Sequence, residues 1–323
     1  MLSNYILEVK NVTKIFRIGG LIFATRFSAV DNVNISLPKD YAEIVSLVGE
    51  SGSGKTTLAR MILGIIKPTS GNILYNGKDI FKIKGKELKE FRKSVQPIFQ
   101  NPYESVSPFE KVYFYLISTC LKYGLANSKN DADNLINETL NMVGLNPSYI
   151  KDKYPHEFSG GELQRIMIAR ALLSRPRILI ADEPVSMIDA SLRMEILNIF
   201  LELKKRFDMS VLYITHDLAT SYYISDKIAI MHRGNIVEYG SIDRVLNDPL
   251  HPYTKILLES IPVPDPDKKW KEGISISTLE IKEYELLGCK FAFRCPFVKK
   301  NCYEKKPPDI IKDSRMVKCW LYY

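Results

Sequence analysis

The chain has 323 residues, 46% of them hydrophobic and 25% charged, with a net charge of +8; this composition excludes a largely disordered chain and suits one sizeable α/β domain with a smaller appendage. The basic balance fits an anionic partner such as a nucleotide, a nucleic acid or an anionic membrane face, but no Lys/Arg run is dense enough for a nucleic-acid tail. Residues 1–10 lack the apolar core of a signal peptide and no stretch reaches the roughly 18–20 apolar residues of a membrane span, so the chain is expected to be soluble or peripheral, and intracellular.

In chain order, residues 6–9 and 30–37 alternate as short strands, and 43–48 is an apolar run of the buried type. A Gly/Ser-rich turn, 49–54, leads into a helix with Leu58, Met61, Ile62, Ile65 and Ile66 on one stripe, ended by Pro68, Ser70 and Gly71. Residues 72–100 read as strand and turn. Residues 103–157 read as mainly helical, with a polar break at 127–130, and a further helix follows Ser159. Residues 178–181 form a continuous apolar strand ending in acid. Leu192, Ile196, Ile199 and Leu203 mark an amphipathic helix, and 211–215 is another buried strand. Strands alternating with helices predict a mostly parallel sheet covered on both faces. Pro249, Pro252, Pro262, Pro264 and Pro266 make a stiff connector, which puts a boundary near residue 260. The segment beyond it is too short to build a large core alone.

Two stretches carry chemistry. Gly49-Glu50-Ser51-Gly52-Ser53-Gly54-Lys55-Thr56 fits the phosphate-loop pattern in full. Glycines let successive N–H groups curl inward at phosphate, the following helix adds its positive end, Lys55 reaches the β- and γ-phosphates, and Thr56 offers a hydroxyl to Mg²⁺. A Gly/Ser turn is often a bare linker; the buried strand before it and the helix after it favour the phosphate site. The strand 178–181 runs into Asp182 and Glu183, at the sheet edge where doubly wound folds place ligands. Asp182 can hold Mg²⁺ and Glu183 can polarise an attacking water, as phosphoryl transfer requires. Without a phosphate loop upstream, two acids would read as an ordinary turn.

Phe158-Ser159-Gly160-Gly161-Glu162-Leu163-Gln164-Arg165 closely resembles the signature sequence of ABC ATPases. The resemblance implies a P-loop NTPase fold of the ABC type in which Ser159, Gly160 and Gly161 face ATP bound on a partner subunit across residues 49–57, Thr57 included. It implies Gln100 as the glutamine that touches Mg²⁺ or the attacking water, and His216 as the switch histidine on the γ-phosphate. It implies Asp189 as the aspartate crossing the dimer interface, and Phe16 as the aromatic that stacks on adenine, though Phe16 is also a natural core residue. Glu162 stands where glutamine is commoner, and Tyr41-Ala42-Glu43 where Gly-Glu is usual. His251-Pro252-Tyr253-Thr254, Ile261-Pro262, Gly288-Cys289 and Phe293-Arg294-Cys295-Pro296 resemble the oligopeptide/dipeptide branch of importers. That implies residues 1–260 as a nucleotide-binding domain, with a helical subdomain at about 101–172, and 261–323 as the branch's C-terminal domain. It further implies a paralogous ATPase partner, two permeases, an extracellular binding protein and a peripheral place on the cytoplasmic face of the membrane, with no nucleic acid. The solute is expected to be a peptide, with oligosaccharides or nickel as alternatives. A soluble ABC ATPase acting on ribosome or DNA is the rival class. Its usual marks, a second ATPase domain or a long coiled-coil insertion, are missing from this sequence.

Of five cysteines, Cys120 stands apart and reads as an ordinary buried thiol. The others, Cys289, Cys295, Cys302 and Cys319, are spaced Cys-x5-Cys-x6-Cys-x16-Cys. Disulfides do not suit an intracellular chain, and the close cysteine pairs of structural zinc sites are missing. Four thiolates on a loop-rich segment suit an iron–sulfur cluster, and some members of this branch carry a [4Fe–4S] cluster; zinc or reduced thiols stay open.

Overall fold

The computed structural model describes residues 4–18, 25–260 and 282–323. β1 (Tyr5–Ile18) and β2 (Thr25–Pro38) are long antiparallel partners. The expected short strands are fragments of this pair. Asn11 and Asn32 adopt left-handed backbone, φ 50° and 51°, and the register slips between Val9 and Val12. Asparagine tolerates that conformation, and each bulge breaks the two-residue alternation by which a strand is read. β3 (Ile44–Val48) is buried throughout and feeds the loop that enters α1 (Lys55–Ile62). β4 (Ser70–Tyr75) and β5 (Lys78–Asp79) complete a four-stranded antiparallel sheet in the order β2-β1-β4-β5.

Helix α2 (Gly85–Ser94) leads into β6 (Val95–Ile98). A helical layer follows: α3 (Val112–Tyr123), α4 (Lys129–Met142), the single turn α5 (Pro147–Ile150) and α6 (Gly160–Leu172). Val112, Leu116, Ile136, Leu140, Leu163 and Ile166 are fully buried in one core between these helices. The polar break before α4 is its cap, with Ser128 Oγ accepting from the Asp131 N–H at 3.1 Å.

The chain then returns through β7 (Ile178–Asp182), α7 (Ala190–Phe207), β8 (Ser210–Thr215), α8 (Leu218–Ile224), β9 (Lys227–His232) and β10 (Asn235–Ser241), followed by α9 (Ile242–Asn247) and α10 (Pro252–Glu259). The expected Pro-rich connector falls largely in 261–281, outside the described residues. Beyond it come β11 (Ile310–Lys312) and β12 (Arg315–Val317). The large sheet has the order β11-β12-β10-β9-β3-β8-β7-β6. From β9 to β6 its neighbours are parallel, as the alternation predicts, and its other edge is antiparallel. Two strands from the C-terminal segment therefore extend the sheet of the nucleotide-binding part. Among the described residues no helix is long and apolar enough to cross a membrane.

The seam between β10 and β12 is ionic. Glu238 is fully buried and accepts the Leu250 and His251 N–H groups, both at 2.9 Å. Burial pushes its carboxyl up, and those two hydrogen bonds oppose the rise. Arg315, also buried, lies 3.8 Å from Glu238 and 2.7 Å from Asp248. Replacing Arg315 by alanine is expected to lower unfolding stability by about 3–5 kcal/mol, because a buried carboxylate loses its counter-charge. Urea unfolding of the two chains checks this, and a loss below about 1 kcal/mol would mean that Glu238 is satisfied by its N–H partners alone.

Candidate functional site

The phosphate loop runs from the buried end of β3 into α1. A Cβ on Gly49 would lie 2.0 Å from the Met231 carbonyl oxygen, and one on Gly54, at φ 107°, would lie 2.2 Å from that of Ala29. Only glycine fits either place, so β9 and β2 clamp the loop between them. Ser53 N–H donates to Glu50 O at 3.1 Å, and Gly234 N–H to Ser53 O at 2.8 Å, which closes the curl. Lys55 is buried, with its Nζ donating to Gly49 O at 2.8 Å and Glu50 O at 2.9 Å. Burial pushes its ammonium down from the ordinary lysine value, while Glu183, Asp182 and Glu50 pull the other way.

Asp182 ends β7 beside α1, which carries Thr56. Burial pushes its carboxyl up, a hydrogen bond from Thr56 opposes this, and the neighbouring Glu183 charge adds to it. Glu183 itself holds left-handed backbone at φ 46°, and its N–H donates to Ile214 O at 2.8 Å. That costs a non-glycine residue conformational energy. Gln100 Nε2 donates to Glu183 Oε2 at 3.0 Å, and His216 Nδ1 lies 3.1 Å from Glu183 Oε1. Three residues from the ends of β6, β7 and β8 thus meet at one carboxylate.

Ser159 and Glu162 form a reciprocal cap at the start of α6: Ser159 Oγ accepts from Glu162 N–H at 3.2 Å, and Glu162 Oε2 from Ser159 N–H at 2.9 Å. Glutamate makes this cap as well as glutamine does, which accounts for Glu162 in the signature. Among the described residues no hydrogen bond or ion pair joins Ser159, Gly160 or Gly161 to the phosphate loop of the same chain. Asp189 is exposed at the start of α7. Phe16, half-buried on β1, pairs with Phe27 on β2 and carries the Lys14 ammonium 5.2 Å from its ring centre.

Cys289, Cys295, Cys302 and Cys319 line one cavity, together with His251 and Phe291. Burial pushes Cys289 up to about 12, and the Cys319, Cys302 and Cys295 thiols add to that. Burial also raises Cys295 and Cys319. His251 Nδ1 accepts from the Tyr253 N–H at 3.0 Å, so its proton is on Nε2, which is buried and finds no partner among the described residues. Among those residues no group of three or more His, Cys, Asp or Glu side chains is gathered to hold a metal ion. Cys120 is buried in the helical layer, as expected.

The sequence profile of the ABC transporter family matches residues 30–186, and that of the oligopeptide/dipeptide transporter C-terminal region matches residues 237–302. The oligopeptide transport ATP-binding protein OppF of Salmonella typhimurium is 39% identical over 281 residues, spanning 86% of this chain and 83% of that protein. The chain belongs to the ABC transporter family. The oligopeptide transport ATP-binding protein AppF of Bacillus subtilis is 38% identical over 324 residues, 98% of this chain and 97% of its own. The ATP-binding cassette MJ0796, solved as a post-hydrolysis dimer bound to ADP and Pi, matches with a TM-score of 0.64 at 27% identity, over 73% of this chain and 98% of that one. The expected fold class, an α/β P-loop NTPase of the ABC type, is the fold found, and the chain is an ATP-hydrolysing ABC subunit.

In this ABC subunit the sequence reading missed one layer of the site. Arg294 donates to both Glu50 oxygens, at 2.9 and 3.1 Å, and Tyr284 hydroxyl donates to Gly52 O. Glu50 N–H donates to the Tyr253 hydroxyl at 3.1 Å. No local pattern announces these contacts, since Arg294 stands 244 positions from Glu50.

Proposed function

We propose that this chain is one of two related ATPase subunits that drive import of di- or oligopeptides through two separate permease subunits, with a binding protein delivering the solute from outside. The match of residues 237–302 to the oligopeptide/dipeptide transporter C-terminal region carries this reading. The subunit would sit on the cytoplasmic face of the membrane, where ATP is available.

The phosphate loop, residues 49–57, takes the phosphates of ATP with Lys55 and with the N–H groups that it does not spend on Tyr253 and Glu50 O, and Phe16 stacks on the adenine. Thr56, Asp182 and Gln100 would hold Mg²⁺: all three offer hard oxygen, and a buried carboxylate with a raised protonation tendency gains from a cation. The ion supplies neutralisation of charge on the phosphates. Glu183 polarises the attacking water, and its two hydrogen-bond partners, Gln100 and His216, orient it for in-line attack on the γ-phosphate. Ser159 to Gly161 close over ATP held by the partner ATPase, and Asp189 lies at that interface. Closure and release then move the helical layer 101–172, which passes the movement to the permeases.

We also infer that the cysteine cavity holds a [4Fe–4S] cluster. The sulfur donor set suits iron: all four cysteines line one cavity, burial and the three neighbouring thiols raise Cys289, a rise that a cationic centre would relieve, and the orphan His251 Nε2–H lines the same space. Zinc fits less well, because it needs its ligands within bonding distance of one point. Anaerobic purification should give about four iron and four sulfide per chain; stoichiometric zinc, or neither metal, would overturn the cluster.

For the transport reading, the tagged chain is purified from gently solubilised membranes of its own host. Two permeases, a sister ATPase and a binding protein are expected alongside it, and the binding protein's trapped ligand identifies the solute. Ribosomal proteins or DNA without a permease would overturn import while leaving ATP hydrolysis intact.

A further inference from the structure

Glu50 is the one acidic residue in the phosphate loop, residues 49–57. Its charge reaches Lys55, the residue meant for phosphate. A carboxylate free to approach that ammonium would compete with an incoming triphosphate. In the structure it is not free. The Arg294 guanidinium holds both of its oxygens in a fork, at 2.9 and 3.1 Å. Arg233 lies 3.8 Å from it on another side.

Both arginines are themselves fixed. Glu283, buried on the C-terminal segment, takes Arg294 Nε at 2.7 Å and Arg233 Nε at 2.8 Å. Among the described residues two carboxylates, Glu50 and Glu283, and two guanidiniums, Arg233 and Arg294, thus form one ionic lattice. The backbone of the loop is tied to the same region by the Glu50 N–H bond to Tyr253 and the Tyr284 bond to Gly52 O. What it supplies is direction: a planar fork fixes where a carboxylate points, as a lysine could not.

We infer that Arg294 is a positioning residue for ATP, holding Glu50 away from Lys55 so that the phosphate loop presents only donors to the nucleotide. Arg294 acts through Glu50, whose carboxylate it holds. The inference needs ATP hydrolysis at this loop, and neither the identity of the solute nor the occupant of the cysteine cavity enters it.

The test is made on the assembled transporter complex, with kcat and KM for ATP measured alongside melting temperature. Arg294→Gln removes the fork from Glu50, leaving it only the looser Arg233 contact at 3.8 Å, and should raise KM about tenfold, the scale of one charge-assisted bidentate contact, with kcat changed less than about twofold. Adding Glu50→Gln removes the competing charge, so the double variant should recover to within about threefold of the wild-type KM. Arg294→Lys keeps the charge that Glu283 needs and covers the case in which Arg294→Gln does not fold; it should raise KM about threefold, again relieved by Glu50→Gln. A KM in the single variants equal to wild type overturns the inference. So does a double variant no better than the single one, because that is the behaviour of a residue that merely anchors the C-terminal segment. A wild-type complex without ATP turnover would instead overturn the ATPase assignment.

Discussion

A chain carrying Glu183→Gln binds ATP and hydrolyses it at about 1% of the wild-type rate or less, the usual scale for loss of a general base. The substitution keeps shape and changes charge. Glu183 sits at φ 46° with its N–H on Ile214 O at 2.8 Å, so the backbone that aims the side chain is set by β8 and stays in place. What changes is the head group. Gln100 donates to one carboxylate oxygen and His216 lies against the other, and an amide has only one oxygen to offer. It also cannot draw a proton from water. Nothing in the phosphate loop is altered, so affinity for ATP persists and the closed dimer of ATPase subunits should accumulate. ATPase assay, nucleotide binding and gel filtration with ATP together check this. Turnover near the wild-type rate would remove Glu183 from the role of base.

Lys55→Ala fails at an earlier step. Nζ is the only ammonium among residues 49–57, and its present bonds go to two carbonyls of its own loop, at 2.8 and 2.9 Å. Those bonds pre-place it, so that in the proposed site ATP would exchange carbonyl partners for phosphate oxygens at small cost in ordering. Losing a charge-assisted contact of this kind is expected to weaken ATP binding about 100-fold, or ~3 kcal/mol. The effect is larger than the lost contact alone suggests, because Asp182, Glu183 and Glu50 then face the triphosphate with one cation fewer. Lys55→Arg should rescue little, since a planar fork does not fit a buried slot shaped for a point charge. Titration with a fluorescent ATP analogue separates this variant from Glu183→Gln: here binding itself is lost. Wild-type affinity in Lys55→Ala would mean that the loop N–H groups carry the phosphates unaided.

The phosphate loop was legible because its chemistry is packed into consecutive residues, and because two glycines stand where β9 and β2 leave no room for a Cβ. Asp182 and Glu183 were legible because a phosphate loop stands upstream of the apolar strand that they end; without it they read as an ordinary turn. Gln100 and His216 came only through the resemblance to ABC ATPases; spacing says nothing of their meeting at Glu183, which depends on three parallel strands lying side by side. β1 and β2 were seen as fragments because bulges at Asn11 and Asn32 interrupt the alternation. The tie between Arg294 and Glu50 had no local trace at all. It depends on how the C-terminal segment folds back, and the cysteine spacing hints only that something gathers those residues.

Strands β12 and β11 come from the far end of the sequence, yet they edge the sheet whose centre is β3. On the ribosome, β3, the phosphate loop and β10 emerge long before Arg315 does. Until then Glu238 has no guanidinium beside it, β10 offers an open edge, and Glu50 waits for Arg294. A growing chain therefore holds all its nucleotide motifs before it can set them in order. A chain cut before β12 is expected to keep every nucleotide motif while leaving β10 as an open edge and Glu238 without Arg315.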